Sequence, residues 1–212
     1  MITQKDQLQL FEIISKNLTK DTTCYAFGGT AMMFYGYKDE TKDIDLFFTE
    51  ETARTAFINA IEQLNFQKTS ALKIYIPEKL QSPGKPLMFK RDDFRIDLFA
   101  KSIFRTQLSP NMKEDLFAQH EFKERLTLKI VRKEQIVFLK SITERPADLI
   151  DIKTILEKTS DFDWEYLIEE AIWQHTHGDS WALMDLERAL QQLKKEFFIE
   201  EKYLKRLYDA HK

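Results

Sequence analysis

Two short segments repeat the same alternation of apolar and acidic residues, and this repeat constrains the fold more than any other feature. Residues 43–48 read DIDLFF, and residues 94–99 read FRIDLF. Side chains on a strand alternate between its two faces, so each segment is predicted to be a strand with its carboxylates on one face. If the two strands pair side by side, Asp97 comes to lie next to Asp43 and Asp45.

A cluster of carboxylates has a specific chemical use. Carboxylates in one place repel one another unless a cation lies between them. Mg²⁺ takes oxygen ligands, often one or two carboxylates together with phosphate oxygens. Asp43, Asp45 and Asp97 are therefore predicted to hold two Mg²⁺ ions about 3.5–4 Å apart, an arrangement that serves in-line displacement at phosphorus. The alternative is that the acidic pair is ordinary surface decoration.

A glycine pair lies where a predicted strand meets a predicted helix. The apolar run 24–27 ends at Gly28 and Gly29, and a helical stretch follows over residues 30–35. Glycine lets the backbone approach a ligand closely, and free N–H groups at a helix start attract anions. The pair is predicted to hold phosphate, with a tight turn as the alternative.

The composition indicates a folded chain from a reducing compartment. The 212 residues are 43% hydrophobic, which is enough to bury a core, and the single cysteine, Cys24, cannot form an internal disulfide. The net charge of −3 gives no prior for nucleic acid. The sequence has neither a signal-peptide pattern nor an apolar run of membrane-spanning length, so a cytoplasmic protein without a membrane partner is predicted.

The predicted secondary structure changes about halfway along the chain. An α+β core is predicted over residues 1–105, and a mainly helical region that completes the cleft is predicted over residues 106–212. The fold class is thus α+β, with a small mixed sheet and flanking helices. The predicted helices are residues 5–19, 30–35 and 49–64, with helical periodicity over 135–156 and 164–208; the predicted strands are 24–27, 43–48, 71–76, 86–90, 94–99 and 126–131, with a loop at 77–86.

Charge is distributed unevenly along the chain. Residues 79–105 hold seven basic and three acidic residues, whereas residues 159–185 hold seven acidic residues and neither Lys nor Arg. The basic run is interpreted either as solvated surface or as a rim around an anionic substrate. Within it, Arg95 is interpreted as a structural partner of an aspartate, with a ligand contact as the alternative. Lys38 and Lys42, just before the acidic pair, could contact triphosphate oxygens or remain solvated.

The glycine pair, thirteen intervening residues, the Asp-Ile-Asp triplet and the later Asp97 together resemble the DNA polymerase β-type nucleotidyltransferase superfamily. The resemblance covers about 75 residues, from Tyr25 to Phe99. It implies transfer of a nucleoside monophosphate from an NTP, with the aspartates holding Mg²⁺ and Asp97 helping to deprotonate the acceptor hydroxyl. It also implies nucleotide contacts at four positions: Gly28, Gly29, Thr30 and Lys42.

A second resemblance lies further along the chain. Lys140, Arg145 and Asp148 are similar to a Lys-Arg-Asp signature of AbiEii-type nucleotidyltransferases, which are toxins of bacterial toxin–antitoxin pairs. The resemblance implies that Lys140 and Arg145 contact nucleotide phosphates and that Asp148 assists the chemistry. The alternative is an amphipathic helix on whose surface Arg145 pairs with Asp148 or Asp151.

The sequence thus predicts a Mg²⁺-dependent nucleotidyltransferase that uses an NTP. The acceptor stays open between a protein hydroxyl, a tRNA 3′ end and a small molecule, and the basic run at 79–105 slightly favours RNA or a phosphate-rich ligand. A cognate antitoxin is a further expected partner. The alternative function is a non-catalytic interaction protein that retains the nucleotidyltransferase fold.

Overall fold

The computed structural model describes residues 1–70, 81, 84–143 and 145–212. Within these residues the strands are β1 (Ile2–Thr3), β2 (Thr22–Ala26), β3 (Glu40–Thr41), β4 (Ile44–Phe48), β5 (Gln67–Thr69), β6 (Leu87–Arg91), β7 (Phe94–Ala100), β8 (Ser102–Ile103), β9 (Thr106–Gln107), β10 (Leu116–Phe122) and β11 (Leu126–Val131). The helices there are α1 (Gln4–Asn17), α2 (Gly28–Phe34), α3 (Glu51–Gln63), α4 (Pro110–Glu114), α5 (Lys133–Ser141), α6 (Pro146–Glu157), α7 (Trp164–His177), α8 (Ala182–Leu193) and α9 (Glu201–Ala210).

A mixed sheet forms the centre of the fold. Its strand order is β10-β11-β2-β4-β7-β6-β5, β8 joins it by pairing with β7, and β9 pairs with β8. The pairs β11–β2 and β4–β7 are parallel, and the other neighbouring pairs are antiparallel. The predicted mixed sheet with flanking helices is therefore confirmed.

The two acidic strands, β4 and β7, are direct neighbours in the middle of this sheet. Their parallel register places Ile44 opposite Ile96 and Asp45 opposite Asp97. Both isoleucines are completely buried, as is Leu46. Burying these apolar side chains in the core holds the register, since a slip of one residue would turn the aliphatic side chains away from the core.

Some helices pack on the sheet, and the C-terminal helices pack on one another. Helices α1 and α3 pack on the sheet and on each other, and α2 lies between β4 and α5. Helix α5 contacts α6, α7 and α8, so it joins these C-terminal helices to α2, which packs on the sheet. One hydrophobic cluster extends from Ile2 to Leu207 and includes the buried thiol of Cys24. Among the described residues, no helix combines the length and the apolar character that crossing a membrane requires.

Most predicted elements agree with the structure, and the differences have local causes. The helical stretch 135–156 is divided because Pro146 begins α6, where its missing N–H costs nothing. The stretch 164–208 forms three helices, the first of which ends at Gly178. The predicted strand 71–76 lies outside the described residues, as does most of the predicted loop at 77–86.

Strand β10 is absent from the sequence prediction, although its residues alternate between half-buried and exposed positions. It pairs with β11, which lies parallel to β2, so residues beyond 105 complete the sheet. The sheet is consequently larger than the small one predicted. The division into regions 1–105 and 106–212 stays a prediction.

Candidate functional site

The carboxylates of Asp43, Asp45 and Asp97 form an acidic cluster. The cause is the register of β4 and β7, which places Asp45 directly opposite Asp97, while Asp43 immediately precedes β4. One oxygen from each carboxylate lies within 4.8 Å of the other two. Asp97 is fully buried, and the side chain of Asp43 is 20% exposed. The structure thus brings together the three carboxylates that the sequence singled out.

Arg95 is the positive partner of this cluster. It lies two residues before Asp97 on β7, so the two side chains share a face of the strand. Its Nε donates to Asp97 Oδ1 over 3.2 Å, and its Nη2 forms an ion pair with Asp43. Arg95 is therefore the aspartate partner that the sequence analysis described, and it offsets one of three negative charges.

The glycine pair lies directly against these strands. Gly28 has a φ of +56°, where a side chain is strained, and a Cβ atom there would be 2.5 Å from Asp45 Oδ2. A Cβ atom on Gly29 would be 2.5 Å from Thr41 Oγ1. A side chain at either position would therefore have to displace the side chain of Asp45 or of Thr41.

Thr30 holds α2 and β4 together from a buried position. It is fully buried, and its Oγ1 accepts a hydrogen bond of 2.9 Å from the main-chain N–H of Asp45. The hydroxyl therefore holds the beginning of β4 against α2. The contact with nucleotide that the resemblance implies for Thr30 stays a prediction.

The position of Asp45 within the acidic cluster changes its protonation. Desolvation raises the pKa of Asp45 to about 7, and the negative charge of Asp97 contributes in the same direction. Lys140 and Arg145 act against this shift through their positive charges, without cancelling it. Without a further cation, the cluster therefore retains a proton near neutral pH.

The opposite wall of the site is built around Asp148, on the first turn of α6. Its carboxylate accepts from Lys140 Nζ at 2.9 Å, from Arg145 Nε at 2.6 Å and from Thr143 Oγ1 at 2.5 Å. Burial alone would raise the pKa of Asp148, but the charge of Lys140 and the hydrogen bonds from Arg145 and Thr143 lower it to about 2. Asp148 is therefore ionised, and its oxygens are occupied by cationic and hydroxyl donors.

The ion pair between Arg145 and Asp148 matches the alternative that the sequence analysis raised for these two residues. The guanidinium side chain is 49% exposed, so it lies at the edge of the site rather than in the core. Lys140 is 7% exposed and also contacts Asp151 Oδ2 at 2.6 Å. Asp151 in turn binds Lys38 at 2.5 Å.

A cleft of about 440 Å³ lies between the two walls. Asp43, Asp45 and the glycine pair line one side, and the Lys140–Asp148 group lines the other. Of the predicted site residues, eight line this cleft: Gly28, Gly29, Lys42, Asp43, Asp45, Lys140, Arg145 and Asp148. The other two, Asp97 and Thr30, are completely buried.

Among the described residues, six polar side chains of this cleft are outside the set of predicted site residues: Lys38, Glu40, Thr41, Arg95, Thr143 and Asp151. Asp151 follows Asp148 by three residues, which puts both carboxylates on one helix face, and that spacing could have identified it. Thr41 and Thr143 stand in no pattern that distinguishes them from other threonines.

The donor set of the acidic cluster fits Mg²⁺. It consists of carboxylate oxygens alone, which are the ligands that this hard cation prefers. Burial and the charge of Asp97 raise the pKa of Asp45, and a bound divalent cation would favour its ionised form. Asp43, Asp45 and Asp97 are the residues that would hold the ion.

Comparisons with known proteins add a distant structural similarity. The amino-acid sequence matches no family model and no curated protein. Among solved structures, the chain is similar to ANT(2″)-Ia, whose crystal structure was determined in complex with adenylyl-2″-tobramycin. The similarity covers 91% of this chain and 99% of that chain, with a TM-score of 0.43 and 15% identity. The chemistry of the site is therefore inferred from its own residues.

Proposed function

We infer that the protein is a Mg²⁺-dependent nucleotidyltransferase, which moves a nucleoside monophosphate from an NTP to a hydroxyl acceptor. One observation carries this inference: three carboxylates from adjacent parallel strands converge within 4.8 Å beside a cleft whose other wall is basic. A metal-bound triphosphate requires both features, because the metal ligands must be anionic and the phosphates need cations.

Each wall has a distinct task in this reaction. Bound Mg²⁺ would supply charge stabilisation for the phosphorus centre and the leaving pyrophosphate. Asp43, Asp45 and Asp97 would hold the ion, and the main-chain N–H groups of Gly28 and Gly29 would bind phosphate. Gly28 also leaves the space in front of Asp45 without a side chain, and Gly29 does the same beside Thr41.

Lys140 and Arg145 supply positive charge from the opposite wall. Asp148 keeps both cations in place, because it binds each of them directly. With a pKa of about 2 it does not serve as a proton acceptor near neutral pH. Its assistance to the chemistry is thus to orient these cations. Removal of the acceptor proton remains assigned to the acidic cluster, where the family resemblance places it on Asp97.

The resemblance also bears on the biological role, and the cleft bears on the acceptor. The AbiEii-type resemblance of Lys140, Arg145 and Asp148 favours a toxin with a cognate antitoxin. A protein hydroxyl, a tRNA 3′ end and a small molecule are all compatible with an open cleft of about 440 Å³. The presence or absence of a small adjacent open reading frame would bear directly on the toxin role.

The second candidate is a non-catalytic protein that retains the fold. Arg95 favours it, because a protein cation already contacts Asp43 and Asp97 where a metal would bind. This candidate predicts weak NTP affinity and no dependence on Mg²⁺.

Labelling distinguishes the two candidates without a known acceptor. The protein is incubated with cell extract, Mg²⁺ and each of the four α-labelled NTPs, and label on protein, RNA and small molecules is measured. The Asp43→Asn, Asp45→Asn double variant should lose transfer by orders of magnitude, because charge stabilisation at the metal is lost.

A matched control removes two charges elsewhere. Asp92 and Asp93 form the exposed turn between β6 and β7, and the Asp92→Asn, Asp93→Asn variant should label like wild type. Asparagine tolerates the φ of 51° at residue 92. If the wild type labels nothing with any NTP, the non-catalytic candidate is supported; if the Asp43, Asp45 variant labels normally, the metal assignment is wrong.

A further inference from the structure

We propose that Lys38 is a further phosphate-binding residue of the cleft, and that Asp151 is the positioning residue that holds it. This inference rests on the proposed function, since it concerns the phosphate chain of the same NTP. The resemblances place no phosphate contact at Lys38 and no role at Asp151. The contacts that carry the proposal are those of one carboxylate with two lysines.

Asp151 binds a different ammonium group with each of its oxygens. Lys38 Nζ lies 2.5 Å from Oδ1, and Lys140 Nζ lies 2.6 Å from Oδ2. The two lysines come from distant parts of the chain, namely the segment after α2 and the helix α5. The shared carboxylate therefore brings two positive charges together on one wall, beside Asp148.

The exposure of these groups shows which of them a ligand can reach. The side chains of Lys140 and Asp151 are 7% and 10% exposed, whereas that of Lys38 is 33% exposed. All three residues line the cleft that also contains Asp43 and Asp45. An ammonium has three N–H donors, so Lys38 can keep its contact with Asp151 and still donate to a phosphate.

The residues just before Lys38 contact the segment that follows α6, the helix that carries Asp151. Lys158, just after α6, donates from Nζ to the main-chain oxygens of Gly36 and Tyr37 at 3.2 and 3.3 Å. The hydroxyl of Tyr37 lies 2.7 Å from that of Thr159. These contacts hold the segment before Lys38 next to the end of α6. They therefore favour a preorganised position for the Lys38 side chain over that of a mobile surface lysine.

The balance of charge on this wall suits a polyanion. Lys38, Lys140 and Arg145 contribute three positive charges, and Asp148 and Asp151 contribute two negative ones, which leaves one positive charge. Lys38 also begins the short connection to Asp43 through β3. A phosphate chain with one end near the acidic cluster therefore meets Lys38 without leaving the cleft.

The experiment uses inorganic tripolyphosphate with Mg²⁺ as a probe, because it presents phosphates without a base or an acceptor. Its affinity for the full chain is measured by calorimetry at low ionic strength, where charge contacts are least screened. Lys38→Gln should weaken binding about tenfold, as expected for one lost charge-assisted hydrogen bond, and Lys38→Arg should restore most of it.

Lys153→Gln is the matched control. Lys153 lies on α6, is 27% exposed and forms an ion pair of 2.5 Å with Glu196, so it resembles Lys38 in exposure and in pairing with a carboxylate, but it does not line the cleft. The affinity of the Lys153→Gln variant for the probe should stay within about twofold of wild type. An effect as large as that of Lys38→Gln would mean that only overall charge matters, and would overturn the proposal.

Asp151→Asn tests the positioning role. The variant removes a negative charge, so a purely electrostatic effect would strengthen binding of the probe. If Asp151 orients Lys38, binding should instead weaken about threefold, because a neutral amide holds the ammonium less firmly. Stronger or unchanged binding, with an unchanged thermal melt, would show that Asp151 does not position Lys38.

Failure of this inference can be told from failure of the proposed function. If wild type binds tripolyphosphate only with Mg²⁺, loses that binding in Asp45→Asn and keeps it in Lys38→Gln, the function stands and the Lys38 assignment is wrong. If Lys38→Gln weakens a binding that depends neither on Mg²⁺ nor on Asp45, the assignment stands and the proposed function is wrong. If wild type does not bind the probe at all, both are wrong.

Discussion

Gly28 lies so close to Asp45 that a Cβ atom at residue 28 would be 2.5 Å from Asp45 Oδ2. The main chain of α2 thus forms the surface that faces the acidic cluster. Any side chain at this position would displace the carboxylate or the helix. Gly36 offers a comparison, because its φ of +71° is similar but a Cβ atom there would meet nothing within 4 Å.

These two glycines give the first prediction. Gly28→Ala and Gly36→Ala should each lower the free energy of unfolding by about 1–2 kcal/mol, because alanine is strained at positive φ. Only Gly28→Ala should also weaken Mg²⁺ binding, since only there does the methyl group displace Asp45. Chemical denaturation and calorimetric titration measure the two effects. Equal Mg²⁺ affinity in both variants would contradict the close packing described at Gly28.

The second prediction concerns stability without metal. The folded-state pKa of Asp45 is about 7, above the ordinary value of 3.8, so ionised Asp45 destabilises the fold once the pH exceeds the ordinary value. The penalty grows as the pH rises toward 7 and is complete above it. At pH 8 without Mg²⁺, Asp45→Asn should therefore raise the free energy of unfolding by about 2–4 kcal/mol. At pH 4 the difference between variant and wild type should nearly vanish.

The third prediction concerns Mg²⁺ itself. Because the ion competes with a proton on Asp45, its affinity should fall about tenfold for each pH unit below 7 and level off above it. Binding at pH 7 should release about half a proton per Asp45 carboxylate. Titrations in two buffers of different ionisation enthalpy measure this release. Mg²⁺ binding that is independent of pH between 5 and 8 would exclude Asp45 as a ligand.

The fourth prediction concerns Asp148, whose pKa of about 2 lies below its ordinary value. Its contribution to stability is present above about pH 4 and is lost as the pH falls toward 2. Asp148→Asn should lower the free energy of unfolding by about 2 kcal/mol at pH 7, because Lys140 and Arg145 lose an anionic partner. The exposed pair of Asp209 with Lys212 serves as control, and Asp209→Asn should change stability by less than about 0.5 kcal/mol.

The fifth prediction concerns Arg95. Arg95→Gln removes the cation that contacts Asp43 and Asp97, so the metal-free protein should lose about 2–3 kcal/mol of stability. Saturating Mg²⁺ should restore more stability to the variant than it adds to wild type, because the ion supplies the missing charge. Thermal melts with and without Mg²⁺ measure the difference. If Mg²⁺ stabilises neither protein, the acidic cluster is a structural ion-pair network and the non-catalytic candidate is favoured.

The sequence by itself determined the elements whose information is local. The alternation over residues 43–48 and 94–99 specifies two strands with one aliphatic face, and Gly28 and Gly29 mark the junction of β2 with α2. The convergence of Asp45 with Asp97 was also predictable as a hypothesis, because the same alternation puts the carboxylates of both strands on one face once the strands pair side by side.

The tertiary structure decided what depends on contacts between distant segments. Strand β10 forms because it pairs with the edge of β11. The weak alternation of its own residues does not predict this pairing. Asp151 becomes part of the site only because helix packing brings Lys38 and Lys140 to its two oxygens. The protonation of Asp45 likewise depends on burial and on Asp97 across the sheet. A local pattern sets which face a side chain occupies, whereas its charge state and its partners depend on neighbours that only the folded chain provides.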